Sequence, residues 1–491
     1  MKSDVKPEKG SSADVERPGL RTCDGARQSL PLASLAALLA RPPLTVTLWV
    51  VAILSLGALA LHLPERVNRE DFSSYYASAW TLRAGGNPYI RDLDPAANRL
   101  GLHLGLLKRA AYTPTFILCF ELLTFLRPQE AYWTWQTLNA IALCVAMLLL
   151  LGGTPGIGRR EALVLAPLML VYPPLGDHFA YGQCQFILLL MLALMLRSME
   201  RGWDATAGLF LALAGLLKAF PLIIGGYLLI RRRWVACLWL VIGLAAGAGL
   251  TFAIVGPRCL DFQSGMEFAR GYEFLALPVN VSVAAMASRL FWYSFGPLLS
   301  PTLETARAVL AVTADLLVLA ITVRATFAMS GRRDRDWRLF SLWVAAAILL
   351  SPTAWLHYLV LLFVPFTSLA AAASRGALSP RAVMTAVASY VLSLLSCIGM
   401  SCLAVLGSPP MQSLGRGPAW RVLDFHGWLM LAKEECAPVA LLLAYMAIYW
   451  FVVDCRNGSD GETQVKLAAP IQGASRGSAR ASTHSLQDIY G

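Results

Sequence analysis

Apolar runs near the length needed to cross a bilayer recur through almost the whole chain, and they decide what it can fold into. Thirteen such segments can be read, at roughly 43–63, 111–126, 131–151, 162–178, 183–199, 204–217, 219–230, 234–255, 300–324, 338–352, 357–373, 381–405 and 436–453. A helix of about 20 apolar residues spans the ~30 Å hydrocarbon core. A spanning segment must also satisfy its own backbone polar groups, which makes a helix the default. Only 14% of residues are charged and 57% are hydrophobic, against roughly 25% charged in soluble domains. The expected fold is an all-α polytopic membrane protein.

Charge placement orients the chain. Lys2, Lys6, Arg17, Arg21 and Arg41 flank the first run, Arg456 follows the last, and Arg159–Arg160, Arg231–Arg233 and Arg332–Arg333 mark short basic loops. This is the positive-inside pattern, and it places both termini in the cytoplasm. Two ends on one side require an even number of crossings. Segment 111–126 is short and carries Pro114 and Glu121, so it is expected to re-enter or lie at the interface, leaving about twelve spans. The division is then a cytoplasmic disordered tail 1–42, a multi-span domain 43–455 and a second cytoplasmic disordered tail 456–491. The net charge of +11 belongs to the tails and basic loops. No aromatic-interleaved basic surface accompanies it, so nucleic acid is not an expected partner. The ten cysteines show no metal spacing and imply no disulfide framework.

The runs 64–110, 176–183, 256–299, 352–357 and 406–435 then face outward, and they hold most of the polar residues away from the cytoplasm. Long ordered loops are uncommon unless they function, which makes the outer face the working face. Asp71 heads a segment in which Phe72, Tyr76, Ala79, Trp80 and Arg83 share helical spacing, and Gly85, Gly86 and Pro88 end it. The carboxylate can be an N-cap or a catalytic base. Lys218 sits beside Pro221 between two short apolar runs. A lysine there either snorkels to headgroups or meets an anion such as a phosphate. Asp177, His178 and Gln183 suit either a solvated loop or sugar-hydroxyl binding. Asn280-Val-Ser282 matches the short glycosylation pattern, Arg289 can fork onto a phosphate or onto headgroups, and His357 lies between Trp355 and Tyr358. The histidine belongs either to an interfacial aromatic belt or to a hydrogen bond with a phosphate or leaving oxygen.

Taken in order, these motifs resemble those of polyprenol-phosphate-mannose-dependent mannosyltransferases, glycosyltransferase family 87. The resemblance is carried by Asp71-Phe72 through Gly86-Asn87-Pro88-Tyr89, Tyr112-Thr113-Pro114, Gly182-Gln183, Ala207-Gly208, Lys218-Ala219-Phe220-Pro221, Arg231 to Trp234, Asn280-Val281-Ser282 with Arg289, and Trp355-Leu356-His357. Cys184-Gln185 departs from the expected pattern, where a smaller polar residue such as Asn would stand near position 185. The resemblance implies a C-type glycosyltransferase architecture with extracytoplasmic loop helices, in the cell (inner) membrane. It implies inverting transfer of a hexose, mannose by preference, from a polyprenyl-phosphate sugar to an extracytoplasmic glycan or glycolipid acceptor. Asp71 is the base in that reading. Lys218, Arg289 and His357 are the donor-phosphate candidates; Tyr75, Asn87, Tyr89, Asp177, Gln183 and Asn280 are the sugar or acceptor candidates. Membrane lipids are the remaining partner, and the scheme needs neither metal nor other cofactor. The alternatives are a transporter or flippase for a lipid-linked sugar, and the same fold with another pentose or hexose donor.

Overall fold

Proline and glycine cut the apolar runs into the elements of the structure, a computed structural model that describes residues 41–63, 70–104, 108–269, 271, 275–277, 279–295, 299–329, 336–405 and 436–457. The polar tails lie almost wholly outside the described residues, as does the expected outer loop 406–435. The first half holds α1 (Pro42–His62), α2 (Glu70–Arg83), α3 (Asp94–Arg99), α4 (Pro114–Glu121), α5 (Pro128–Gly153), α6 (Arg159–Leu170), α7 (Pro173–Tyr181), α8 (Gln185–Glu200), α9 (Asp204–Leu217) and α10 (Gly225–Ile230). The second half holds α11 (Trp234–Val255), α12 (Phe262–Ala269), α13 (Val283–Phe295), α14 (Pro301–Ala328), α15 (Asp336–Leu349), α16 (Phe363–Ser374), α17 (Pro380–Val405) and α18 (Cys436–Asn457). Short 3₁₀ turns join several of them. Among the described residues the elements are helical, with one isolated β-bridge between Asn280 and Trp355.

Six stretches among the described residues are long and apolar enough to cross a membrane: Pro42–His62, Pro128–Gly153, Trp234–Glu267, Pro301–Ala328, Leu356–Ser374 and Cys436–Asp454. A seventh arises if α6 and α7, bent by 50° at a short break, form one span. This is fewer than the twelve read from the sequence, and the reason is length. The runs 204–217 and 219–230 become Asp204–Leu217 and Phe220–Ile230, and a helix of 14 residues reaches only about 21 Å. The α-helix inside segment 111–126 is shorter still, at 8 residues. Thr113 caps it by accepting from the Phe116 amide, Pro114 opens it, and a 3₁₀ turn Leu122–Phe125 closes it. The expected outer loop 176–183 is instead largely helix α7, because Pro173 and Pro174 start a turn that Gly182 stops in a left-handed conformation.

Two packed clusters of side chains form the interior. The larger is centred on α15, every residue of which from Leu339 to Leu349 is buried. The smaller gathers aromatic residues of α2, α4, the turn before α4 and the start of α5, including Phe72, Tyr75, Tyr112, Phe116, Phe120, Tyr132 and Trp135. Ile187 and Leu217 pack against both, so the seam between them passes the helix break that carries Lys218. Outward, α1 buries only Ala52, and α11 only Ala236, Thr251 and Val255. Most of the apolar surface of both helices is left exposed, as suits lipid tails.

Helices α9 and α11 touch through small residues. A Cβ built on Gly208 would stand 2.1 Å from the Ala236 carbonyl oxygen, and one on Gly247 2.2 Å from the Leu216 side chain. Close approach through glycine is how helices pack when lipid supplies no hydrophobic drive. Gly208→Ala therefore forces backbone apart, and we expect it to lower stability by about 1–3 kcal/mol. The midpoint of thermal unfolding in detergent is the check; an unchanged midpoint would mean the pair yields freely. At one end of the same pair, Arg231 and Arg233 are ion-paired with Asp336, and Arg233 also with Asp204 at 2.5 Å. The basic loop thus ties α9, α11 and α15 together.

Candidate functional site

Helix α2 presents its aromatic face to the short helical segment Pro114–Phe125. Tyr76 donates through its hydroxyl to the Leu126 carbonyl at 2.7 Å, and Arg83 donates to the Thr124 carbonyl at 2.9 Å while lying 3.8 Å over the Phe125 ring. Gly85 then takes φ +78° and the chain leaves the helix. Asp71 lies in the first turn of α2 and is 9% exposed. Its Oδ1 accepts from the Tyr112 hydroxyl at 2.8 Å. Burial, and then the Asp71 charge, raise the Tyr112 phenol well above its usual pKa. Tyr112 therefore stays protonated and is the donor in this pair.

One turn further along α2, Tyr75 stacks edge-on against Tyr112 with ring centroids 4.4 Å apart, and donates to Gln183 Oε1 at 2.7 Å. Gln183 is placed by the left-handed Gly182, where φ is +66° and an added Cβ would meet the Phe72 Cβ at 3.0 Å. Trp135 Nε1 donates to the Gly182 carbonyl at 2.6 Å and Gln136 Nε2 to the Phe179 carbonyl at 2.7 Å, which holds this turn against α5. Across it, Lys218 Nζ donates to the same Gln183 Oε1 at 3.1 Å and to the Tyr358 hydroxyl at 3.2 Å. Lys218 has an extended backbone at the end of α9, as expected of a helix break before Pro221. Two donors on Oε1 fix which end of the amide is which. They leave Gln183 Nε2 buried with no partner in the structure, and the same holds for His357 Nε2.

His357 Nδ1 stands 3.4 Å from Asp177 Oδ2, and its ring lies near Tyr181 with centroids 6.3 Å apart. Asp177 is therefore set toward the histidine rather than on a solvated loop. His178 is fully buried, stacks on Phe186 at 3.6 Å and accepts from the Phe186 amide. It faces inward, about 100° round α7 from Asp177.

Six of the expected residues thus come together from distant parts of the chain: Asp71, Tyr75, Asp177, Gln183, Lys218 and His357. The other four act one step away. Asn87 Oδ1 accepts from the Tyr89 amide and its Nδ2 donates to Asp261 at 2.6 Å; Tyr89 donates to the Tyr112 carbonyl at 3.0 Å. Asn280 donates to the Pro352 carbonyl at 3.1 Å and bridges Trp355, while Arg289 Nη1 donates to the Leu277 and Asn280 carbonyls at 3.0 and 2.7 Å. These two hold the strand-like turn that delivers His357. Tyr112 and Tyr358 are the members that sequence reasoning passed over. Both stood inside quoted motifs, beside Pro114 and His357, and the signal was their phenol next to a residue already singled out.

A buried carboxylate, a cation at a helix break and two unpartnered polar groups, set in a bundle of apolar helices, define a membrane-type protein with an internal polar site. The model of glycosyltransferase family 87 matches residues 110–352, just under half of the chain, and supports a place in that family. Tyr112, Gln183 and Lys218 fall inside the matched stretch; Asp71 and His357 fall outside it. A curated relative is the polyprenol-phosphate-mannose-dependent alpha-(1-2)-phosphatidylinositol pentamannoside mannosyltransferase of Mycobacterium tuberculosis (strain CDC 1551 / Oshkosh). The two are 30% identical over 234 residues, which is 46% of this chain and 50% of the relative. The chain therefore spans about half the length of the curated relative it matches.

Proposed function

We propose that this protein moves a hexose, mannose by preference, from a polyprenyl-phosphate carrier to a glycan or glycolipid acceptor, with inversion at the anomeric carbon. The observation that carries the reading is the pairing of Asp71, oriented by Tyr112, with Lys218, which lies beyond the Tyr75–Gln183 link. The family match supports the reaction class, and the printed activity of the relative supports the donor. The acceptor oxygen attacks the anomeric carbon while Asp71 takes its proton. The bond from that carbon to the phosphate oxygen breaks, and its electron pair leaves on the phosphate, which passes from a monoanion to a dianion. Asp71 later gives its proton to water. General-base help of this kind is worth about 10²–10⁴-fold. The growing phosphate charge needs stabilisation more than protonation, and Lys218 with His357 supplies it. Gln183 and Tyr75 border the sugar, and Arg289 and Asn280 support the His357 turn.

In this reading the short helices also cross or re-enter, completing about twelve spans in a C-type glycosyltransferase architecture. Both termini are cytoplasmic, and the site opens to the extracytoplasmic side of the cell membrane. The test uses the purified full chain in nanodiscs, radiolabelled polyprenyl-phosphate mannose and a membrane glycolipid extract. Label moving into the glycolipid fraction is the expected result. Donor that binds but is carried across the bilayer unreacted would replace the transferase by a lipid-linked sugar transporter.

A further inference from the structure

We infer that Tyr112 and Thr113 form a strut that sets the working geometry between the Asp71 carboxylate and the Lys218 helix break, with Tyr112 the positioning residue for the carboxylate. The inference rests on the transferase reading above and adds Thr113, to which that reading gives no task, and the coupling of Thr113 to Tyr112. The two neighbours face opposite halves of the site. Tyr112 donates to Asp71 Oδ1 at 2.8 Å. Thr113 donates to the carbonyls of Leu216 and Leu217, at 2.5 and 3.0 Å, which are the last two of α9 before Lys218.

Each half is itself held. The Tyr112 ring sits between Tyr75 and Phe116, with centroids 4.4 and 5.9 Å away, and its carbonyl accepts from Tyr89. Thr113 also caps α4 by accepting from the Phe116 amide at 3.3 Å. The strut is therefore anchored to a helix start whose Pro114 fixes the entry angle. Helix α4 in turn packs on α2 through Phe116 and Phe120 against Tyr75.

The chemistry calls for such a part. Inversion places the attacking oxygen and the leaving phosphate on opposite sides of one carbon. The base and the cation must then be held at a fixed separation, although they belong to elements far apart in sequence. Small misplacements of reacting groups are costly in rate. A carboxylate with one oxygen tied by a phenol also cannot spin about its own bond, and it offers its other oxygen to the acceptor proton.

Tyr112→Phe removes the hydroxyl and keeps the ring contacts. Its kcat is expected to fall by about tenfold to a hundredfold, the size expected for a hydrogen bond to a charged group. Donor KM, and binding of polyprenyl-phosphate mannose measured directly, should stay at the wild-type values. Thr113→Val is expected to weaken donor binding as well as turnover, because it frees the Lys218 break. Thr113→Ser, which keeps the hydroxyl, should restore both, and this pair serves if Tyr112→Phe does not fold. Wild-type kcat in Tyr112→Phe, or a loss that appears in donor affinity instead, overturns the strut. So does a Thr113→Ser enzyme as impaired as Thr113→Val. Failure of the wild type to transfer label would sink the transferase reading and the strut together, whereas a fully active Tyr112→Phe enzyme sinks the strut alone.

Discussion

Asp71→Asn is expected to lower kcat by about 10²–10⁴-fold while donor binding is unchanged. The substitution is close to isosteric, and the amide oxygen can still accept from Tyr112 at the position Oδ1 now holds. The geometry of the site should therefore survive, and only the capacity to take a proton is lost. Direct binding of the labelled donor and single-turnover transfer, measured on the same preparation, separate the two quantities. Transfer at the wild-type rate would remove Asp71 as the base and leave it a first-turn carboxylate held by Tyr112. Loss of donor binding in step with turnover would make it a binding residue.

Lys218→Met should have effects of opposite sign on activity and stability. Lys218 is a half-buried residue, and among the described residues no carboxylate lies within ion-pair distance of its ammonium. Its contacts are the neutral Gln183 oxygen, the Tyr358 hydroxyl and the Tyr358 ring face 4.5 Å away. A cation held this way is costly to the fold. Methionine fills much the same volume with no charge to desolvate, and Gln183 keeps Tyr75 as its donor. We expect the thermal midpoint to hold or rise while kcat/KM falls by about 10²–10³-fold, the usual loss for one charge-stabilising donor. This is the stability–activity opposition of functional sites. A variant that unfolds earlier and still transfers would make Lys218 a structural tie between Gln183 and Tyr358.

Local features of the site could be read from the sequence because they are written in neighbouring residues. The 71–83 helix with its aromatic face, its stop at Gly85, the short segment after Pro114 and the break at Lys218 each follow from spacing, proline and glycine, and each stands in the structure. Long-range partnership could not be read. Nothing near Asp177 points to His357, 180 residues away, and nothing near Asn280 announces a bridge to Trp355. The pair Asp177–His178 looked alike on paper because a loop was expected. On a helix, neighbours point about 100° apart, so one faces the site and the other the core. Arg289 carries a fork that fits a phosphate, and one nitrogen of that fork is donated to the carbonyls of an open turn, a partnership its neighbours in sequence do not announce. The number of crossings depends on where a run of apolar residues bends, and runs of 12 to 17 residues do not declare that.

The uneven burial of the helices sets how freely this sequence can drift. Along α1 one side chain in the whole helix is enclosed by protein, and its Trp49 indole reaches the Leu163 carbonyl as an anchor. Most positions there answer only to lipid, and lipid does not distinguish isoleucine from leucine. Along α15 nearly every position is surrounded by its own chain, so each substitution must be answered by a neighbour. Relatives compared position by position should therefore diverge fastest on the rim and slowest on the axle of the bundle. A helix that looks invariant in such a comparison would mark packing at α15 but would mark a binding partner at α1.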